Sequence, residues 1–243
     1  MATTTSQLRS SILSQSLPPP SPDFLTTLLT SRQPPPPLPS LLATARARLL
    51  AADLTTATII DAANTQILPS ALFETGSSSS NVAEARLPRD VHLQVLDVED
   101  LSRSRWDQVE DLEAVERGET KRGREVIRVS AETDGEDQQQ QRPAASTGKA
   151  THRLVLQDRS GRKVYAIELR RVPRLDLGTT CIGEKVLLKA GTVVARGLVL
   201  LTPETCVLLG GKVEAWHKTW TEGRLARLKA AAAAVADSGA AGS

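Results

Sequence analysis

Apolar positions along the chain follow two different periods. In the first third they recur at helical spacing. Leu8, Ile12 and Leu13 are expected on one helical face, and Phe24, Leu25, Leu28 and Leu29 on another. Ser21-Pro22-Asp23 is a start signal: a capping serine, then a proline where the missing N–H costs nothing. Pro34–Pro37 stops that helix. A second start at Ser40 leads through Leu41, Leu42, Ala45, Leu49, Leu50 and Leu54. Helices this short are unstable alone and must pack on one another or on a second domain. Residues 75–81, Thr-Gly-Ser-Ser-Ser-Ser-Asn, read as a linker.

From Asp90 the period changes to two. His92–Val98, Arg153–Gln157, Val164–Leu169, Lys185–Lys189 continuing to Val194, and Leu198–Leu201 with Cys206–Leu209 read as five strands. Asp158-Arg-Ser-Gly161, Pro173, Gly183, Gly191, Gly197 and Gly210-Gly211 punctuate them. A short helix is expected around Trp106. The following tract, 114–150, holds Gly118, Gly123, Gly135, Gln138–Gln141, Pro143 and Gly148 with almost no apolar period. A loop of this length inside a compact domain is unusual unless it is functional. Five strands with one long excursion suit a small closed or partly closed barrel of the OB type. Val213, Trp216, Trp220, Leu225 and Leu228 then form the apolar stripe of a closing helix, with Gly223 its weak point.

The expected class is therefore α+β: a small N-terminal helical bundle, a five-stranded OB-fold β-barrel with a long insertion loop, and a C-terminal helix. The bundle is placed at residues 1–75, a linker at 76–89, the barrel at 90–212 with its insertion at 114–150, and the helix with a frayed tail at 213–243. A chain of 243 residues has room for this.

Charge adds a pattern that the net value of +2 hides. Residues 97–137 carry fourteen acidic and seven basic groups, whereas 151–200 carry ten basic and four acidic. Such segregation marks partner-facing surfaces, or an acidic loop folded over its own basic barrel. The overall balance excludes a wholesale polybasic arm. No apolar run approaches the ~20 residues of a membrane span, and the Thr/Ser-rich start lacks a signal core, so an intracellular protein with no membrane partner is expected.

Catalytic chemistry finds no footing. There is no G-x-S-x-G, H-E-x-x-H or P-loop; Gly118-Glu-Thr-Lys121 lacks the preceding glycine of a phosphate cradle. Carboxylate pairs such as Glu110-Asp111 and Glu136-Asp137 lie in polar surroundings that would hold neither at catalytic separation. His92, His152 and His217 are dispersed, and Cys181 and Cys206 make neither a disulfide framework nor a zinc site. A divergent hydrolase with a Cys–His pair is the weakest reading, and no enzyme and no cofactor are expected. Single-strand-binding OB folds stack bases on exposed aromatics, each worth roughly 1–3 kcal/mol. Here Tyr165 is the one aromatic within the strands. Arg162, Arg170, Arg171 and Arg174 could hold phosphates weakly and without sequence preference.

A resemblance sharpens this picture. It is carried by Leu154-Val-Leu-Gln-Asp-Arg-Ser-Gly161, Val164-Tyr-Ala-Ile-Glu-Leu169 with Val172-Pro173, and Gly183-Glu-Lys-Val-Leu-Leu-Lys189. Arg196-Gly-Leu-Val-Leu-Leu-Thr-Pro-Glu204 and Val207-Leu-Leu-Gly-Gly-Lys-Val-Glu214 complete it. Together these resemble the OB domain of the RecQ-mediated genome instability protein 1 family, in a short, single-OB form. Pro18–Pro20, Phe24-Leu25, Leu49–Leu54 and Leu68-Pro69 resemble that family's helical bundle more weakly, with Phe24 where the family usually has tryptophan.

The resemblance implies a nuclear, non-catalytic subunit of a complex with topoisomerase III, a type IA enzyme, and a RecQ-family helicase. Such a complex dissolves double Holliday junctions. It also implies that the insertion acts on the topoisomerase gate and favours decatenation. Within it Lys121, Arg122, Arg124, Val126, Ile127 and Val129 hold the apolar cluster expected to anchor the loop. Fully extended, the 114–150 tract could reach out and back at most ~60 Å. Lys185 is the candidate docking contact on the barrel. A second OB domain, and the small OB partner that binds it, are not expected. The alternative is a stand-alone OB-fold nucleic-acid-binding protein using the basic barrel.

Overall fold

The computed structural model describes residues 2–31, 34, 36–56, 58–73, 84–117 and 150–240. Three helices open the chain: α1 (Ala2–Ser14), α2 (Pro22–Thr30) and α3 (Leu38–Ala51). Their cores come from the positions the helical period selects. Leu8, Ile12, Phe24, Leu25, Leu28, Leu41, Ala45 and Leu49 are buried together, joined by Leu17, Leu54 and Ile60. Leu13 departs from expectation and is 43 % exposed. Five residues beyond Leu8 on a helix of 3.6 residues per turn is too far round to share its face. The Ser21 side chain caps α2, accepting the Phe24 N–H at 3.2 Å, and its hydroxyl donates to the Thr58 carbonyl. The third helix starts two residues before Ser40, with Pro37 at its N-cap and no side-chain cap.

The second core lies in one curled, mostly antiparallel sheet. Its strands are β1 (Glu84–Arg86), β2 (Val91–Asp100), β3 (His152–Gln157), β4 (Lys163–Glu168), β5 (Lys185–Leu188), β6 (Val193–Ala195), β7 (Leu198–Leu201) and β8 (Cys206–Gly210). They run in the order β1-β6-β7-β4-β3-β2-β5-β8, and β4 with β7 is the parallel pair. The OB architecture stands, with eight strands rather than five. Gly191, at φ +86°, breaks the run expected from Lys185 to Val194 into β5 and β6, which pair with different neighbours. The Thr-Pro-Glu turn likewise separates β7 from β8. The stretch taken as linker contributes β1 and the buried Leu87, and Leu68, assigned above to the bundle, lies in the barrel core.

That core is aliphatic. Leu93, Val95, Leu154, Leu156, Val164, Ala166, Val199 and Leu201 alternate inward along four strands. Trp216 and Trp220, on α5 (Glu214–Glu222), pack against it, and the Trp220 Nε1–H donates to Asp97 Oδ1 at 2.6 Å. A bulge between Val95 and Asp97 shifts the β2 register.

The barrel and bundle form one compact unit, residues 1–101 with 151–222. Gly211 is one seam between them: a Cβ there would sit 2.4 Å from the Leu50 carbonyl oxygen, and its φ of +86° favours glycine independently. Residues 102–150 and 223–243 form a second unit. In it α4 (Arg105–Glu116), capped by Ser104, meets α6 (Arg224–Ala240). Lys229 reaches Glu113 at 2.6 Å, and Val109, Ala114 and Ala232 are buried. Two expectations change accordingly. Residues 114–116 are helix rather than loop, and the closing helix is two helices parted at Gly223.

Candidate functional site

The strands of the barrel carry apolar residues on both of their faces. Inward positions fill the core; outward, Val155 on β3 sits opposite Tyr165 on β4, which sits opposite Leu198 on β7. Ile167 and Leu200 form the next rung, and Leu169 follows β4. Tyr165 is 56 % and Leu169 61 % exposed, while the other four are half-buried. The Arg153 guanidinium lies 5.5 Å from the centre of the Tyr165 ring and also pairs with Glu99. Sequence reasoning found Tyr165 but missed the patch around it. The available signal was the run Val164-Tyr-Ala-Ile-Glu-Leu169, apolar at both alternations except at Glu168.

The four arginines assigned to phosphates are mostly engaged within the chain. Arg170 pairs with Glu204. Arg171 bridges Glu168 and Asp176, each at 3.3 Å, and Arg174 lies 3.8 Å from Glu184. Among the described residues, Arg162 alone of the four has no carboxylate partner for its guanidinium, its backbone N–H donating to Asp158 Oδ1. The Glu168 carboxyl is buried, which by itself would raise its pKa. Hydrogen bonds from the His152 ring at 2.6 Å and from the Val172 and His152 N–H groups outweigh this and hold it low. Arg171 therefore helps neutralise a buried carboxylate that organises the end of β4.

Lys185 is in a different place from that expected of a docking contact. It is 0 % exposed, its ammonium donating to the Gly183 carbonyl at the meeting of barrel and bundle. Burial pulls its pKa down to about 8, against the pull of Asp53 and Glu184. Beside it the Gln94 amide ties three segments together. It accepts the Leu54 N–H at 2.9 Å and donates to Asp53 Oδ1 at 2.7 Å and to Gln157 Oε1 at 3.0 Å. His92 adds a further tie, its Nε2–H donating to the Ser16 carbonyl at 2.9 Å. A lysine at the start of a strand reads as surface because lysine is almost never fully buried. Here the bundle covers it and supplies Asp53.

The insertion leaves the barrel between β2 and β3, the first two strands of the curled sheet after β1. Its stem is closed: Asp100 pairs with His152, and the Leu101 N–H donates to the Thr151 carbonyl at 2.8 Å. Lys121, Arg122, Arg124, Val126, Ile127 and Val129 lie outside the described residues. Neither cysteine is set up as a nucleophile. Burial pushes the Cys206 thiol up to about 12, and burial followed by the Glu184 charge raises Cys181. No group of three or more His, Cys, Asp or Glu among the described residues could hold a metal ion, and no described helix is long and apolar enough to cross a membrane.

Two cores, a helical one and an OB one, meet two family models. Residues 12–57 match the model described as RMI1, N-terminal helical domain, and residues 68–224 match RMI1, N-terminal OB-fold domain. The chain belongs to the RMI1 family. Relatives in this family include two yeast proteins, each named RecQ-mediated genome instability protein 1. The one from Schizosaccharomyces pombe is 29 % identical over 150 residues, covering 58 % of this chain and 63 % of that protein. The one from Saccharomyces cerevisiae is 26 % identical over 170 residues, covering 59 % of this chain and 69 % of that protein. The RMI1 OB match agrees with the barrel core, beginning at Leu68 and taking in Trp216 and Trp220, whereas the helical match leaves out Leu8 and Ile60 of the helical core.

Proposed function

We propose that this RMI1-family chain is a non-catalytic OB-fold subunit of a nuclear genome-maintenance complex built on a type IA topoisomerase III and a RecQ-family helicase. In that complex the barrel docks on the topoisomerase, and the β2–β3 insertion acts on its gate to favour decatenation and double Holliday junction dissolution. Membership of the RMI1 family carries the reading, since the relatives' name links them to RecQ and to genome instability. Two structural facts support it. The insertion springs from a closed strand pair on a rigid barrel, so its ends are held while the barrel supplies affinity at little ordering cost. The arginines that would serve a nucleic-acid-binding barrel are largely paired with carboxylates, so DNA binding by the chain alone is weak and salt-sensitive.

The test replaces residues 118–148 by a short Gly/Ser linker and measures assembly and decatenation side by side. The barrel should remain folded, because long surface loops contribute little to stability. The complex with topoisomerase III should still form, weakened at most several-fold, while decatenation drops. Decatenation at the wild-type level would remove the gate role from this tract. Failure of the unaltered chain to co-purify with topoisomerase III at moderate salt would remove the reading as a whole.

A further inference from the structure

The outer face of β3, β4 and β7 has no partner within the described residues, and its composition is specific. Val155, Tyr165, Ile167, Leu169, Leu198 and Leu200 form a contiguous apolar surface on three hydrogen-bonded strands. The face leaves a tyrosine and a leucine each more than half exposed. Its margin is cationic. Lys163 occupies the same face two residues before Tyr165, and Arg196 is exposed at the tip of the turn joining β6 to β7. Neither has a carboxylate partner among the described residues. Arg153 crosses the face over Tyr165. Of the carboxylates nearby, Glu99 pairs with Arg153 and Glu204 with Arg170, while Asp97, opposite Val155 on β2, accepts the Trp220 Nε1–H.

We propose that this face binds an acidic segment of a partner protein, one that presents large apolar side chains between Asp and Glu residues. Aliphatic groups would cover the Val155–Tyr165–Leu198 rung, and the acidic groups would meet Lys163 and Arg196. A second copy of this chain fits poorly, because it would bring the same cations face to face. Single-stranded nucleic acid shares the charge preference, but five of the six apolar side chains are aliphatic and offer no stacking platform. The inference stands on the sheet face alone and holds independently of the topoisomerase reading.

The experiment uses the full chain and three labelled probes followed by fluorescence anisotropy. The first is a peptide of about 15 residues alternating Asp and Glu with Leu and Phe. The second carries the same apolar residues with Lys in place of the acids. The third is an oligothymidine of about 20 nucleotides. The acidic peptide should bind at least about 10-fold more tightly than the lysine peptide and than the oligonucleotide. Tyr165→Ser with Leu169→Ser should weaken it by about 10-fold or more, and Lys163→Glu with Arg196→Glu by a similar factor that shrinks at high salt. All four side chains are at the surface, so the melting temperature should stay unchanged, and a drop in affinity then reports the face. Equal binding of acidic and lysine peptides overturns the proposal. Tightest binding of oligothymidine, lost with Tyr165→Ser, overturns it in favour of nucleic acid. Acidic-peptide binding that appears only when residues 118–148 are replaced would make this chain's own segment the occupant and overturn it too.

Discussion

Lys185 is the residue whose chemistry differs most from its appearance in the sequence. Its pKa is about 8 in the folded chain against an ordinary 10.5. Between those values the unfolded chain binds a proton that the folded chain lacks, so stability rises with pH across that window. The shift sets an upper bound of about 3 kcal/mol. Cys206 works oppositely: its thiol ionises near 9.0 when unfolded and about 12 when folded, so stability falls once pH passes 9. The interval from about 8 to 9 therefore isolates the lysine. Urea unfolding should show stability climbing there in the wild type and flat in Lys185→Met. Equal slopes in both proteins would mean that the buried amine is not the source. The sequence showed the strand but not this burial, because Asp53, which lies just past α3 and faces Lys185, is more than a hundred residues away along the chain.

At the scale of elements, local chemistry was the part most legible in the sequence. Ser21 caps the helix it precedes, and Gly223 parts α5 from α6. Leu154, Leu156, Val164 and Ala166 are buried on strands that the period of two marks out. What period alone could not give was pairing. The break at Gly191, the parallel contact of β4 with β7 and the bulge in β2 all depend on distant strands. The candidate site was legible in the same uneven way: Tyr165 stood out, whereas its neighbours Leu198 and Leu200 meet it only through β4–β7 pairing. The tryptophans illustrate the difference. Trp220 donates to Asp97 from a helix packed on the barrel, whereas Trp106 is 56 % exposed on α4. Trp220→Phe should cost about 1.5–3 kcal/mol by denaturant unfolding, the worth of a hydrogen bond to a charged acceptor. Trp106→Phe should change stability by less than about 0.5 kcal/mol. A reversed order would mean that the Asp97 contact contributes nothing.

At the scale of the molecule, the helical and OB cores are distinct hydrophobic clusters, joined by Leu209 of β8, which packs on the helical core, and by polar ties. Gln94 is central among these, fully buried and bonded to Leu54, Asp53 and Gln157. Truncating it leaves the Leu54 N–H and the Asp53 carboxylate short of a partner, at about 2 kcal/mol. The bundle contains no tryptophan, while Trp216 and Trp220 report the barrel. Far-UV circular dichroism and tryptophan fluorescence should therefore give coincident transitions in the wild type. In Gln94→Ala the share of the helical signal carried by α1, α2 and α3 should be lost before the tryptophan transition. Transitions that stay coincident, with an unchanged midpoint, would show that apolar contact alone couples the two cores.

The closed stem at Leu101 and Thr151 has a further consequence, for how such a chain can change over evolutionary time. Because one backbone hydrogen bond fixes both exits at strand spacing, the sequence beyond α4, which itself packs on α6, is exchangeable without re-registering the barrel. Doubling the length of a flexible connection costs only about 0.6 kcal/mol in closure entropy. The position is thus a natural grafting point, where descendants could lengthen, shorten or replace a whole sequence while inheriting the same scaffold. It is also the place to splice in a fluorescent protein, whose own termini lie close together, as a reporter of assembly.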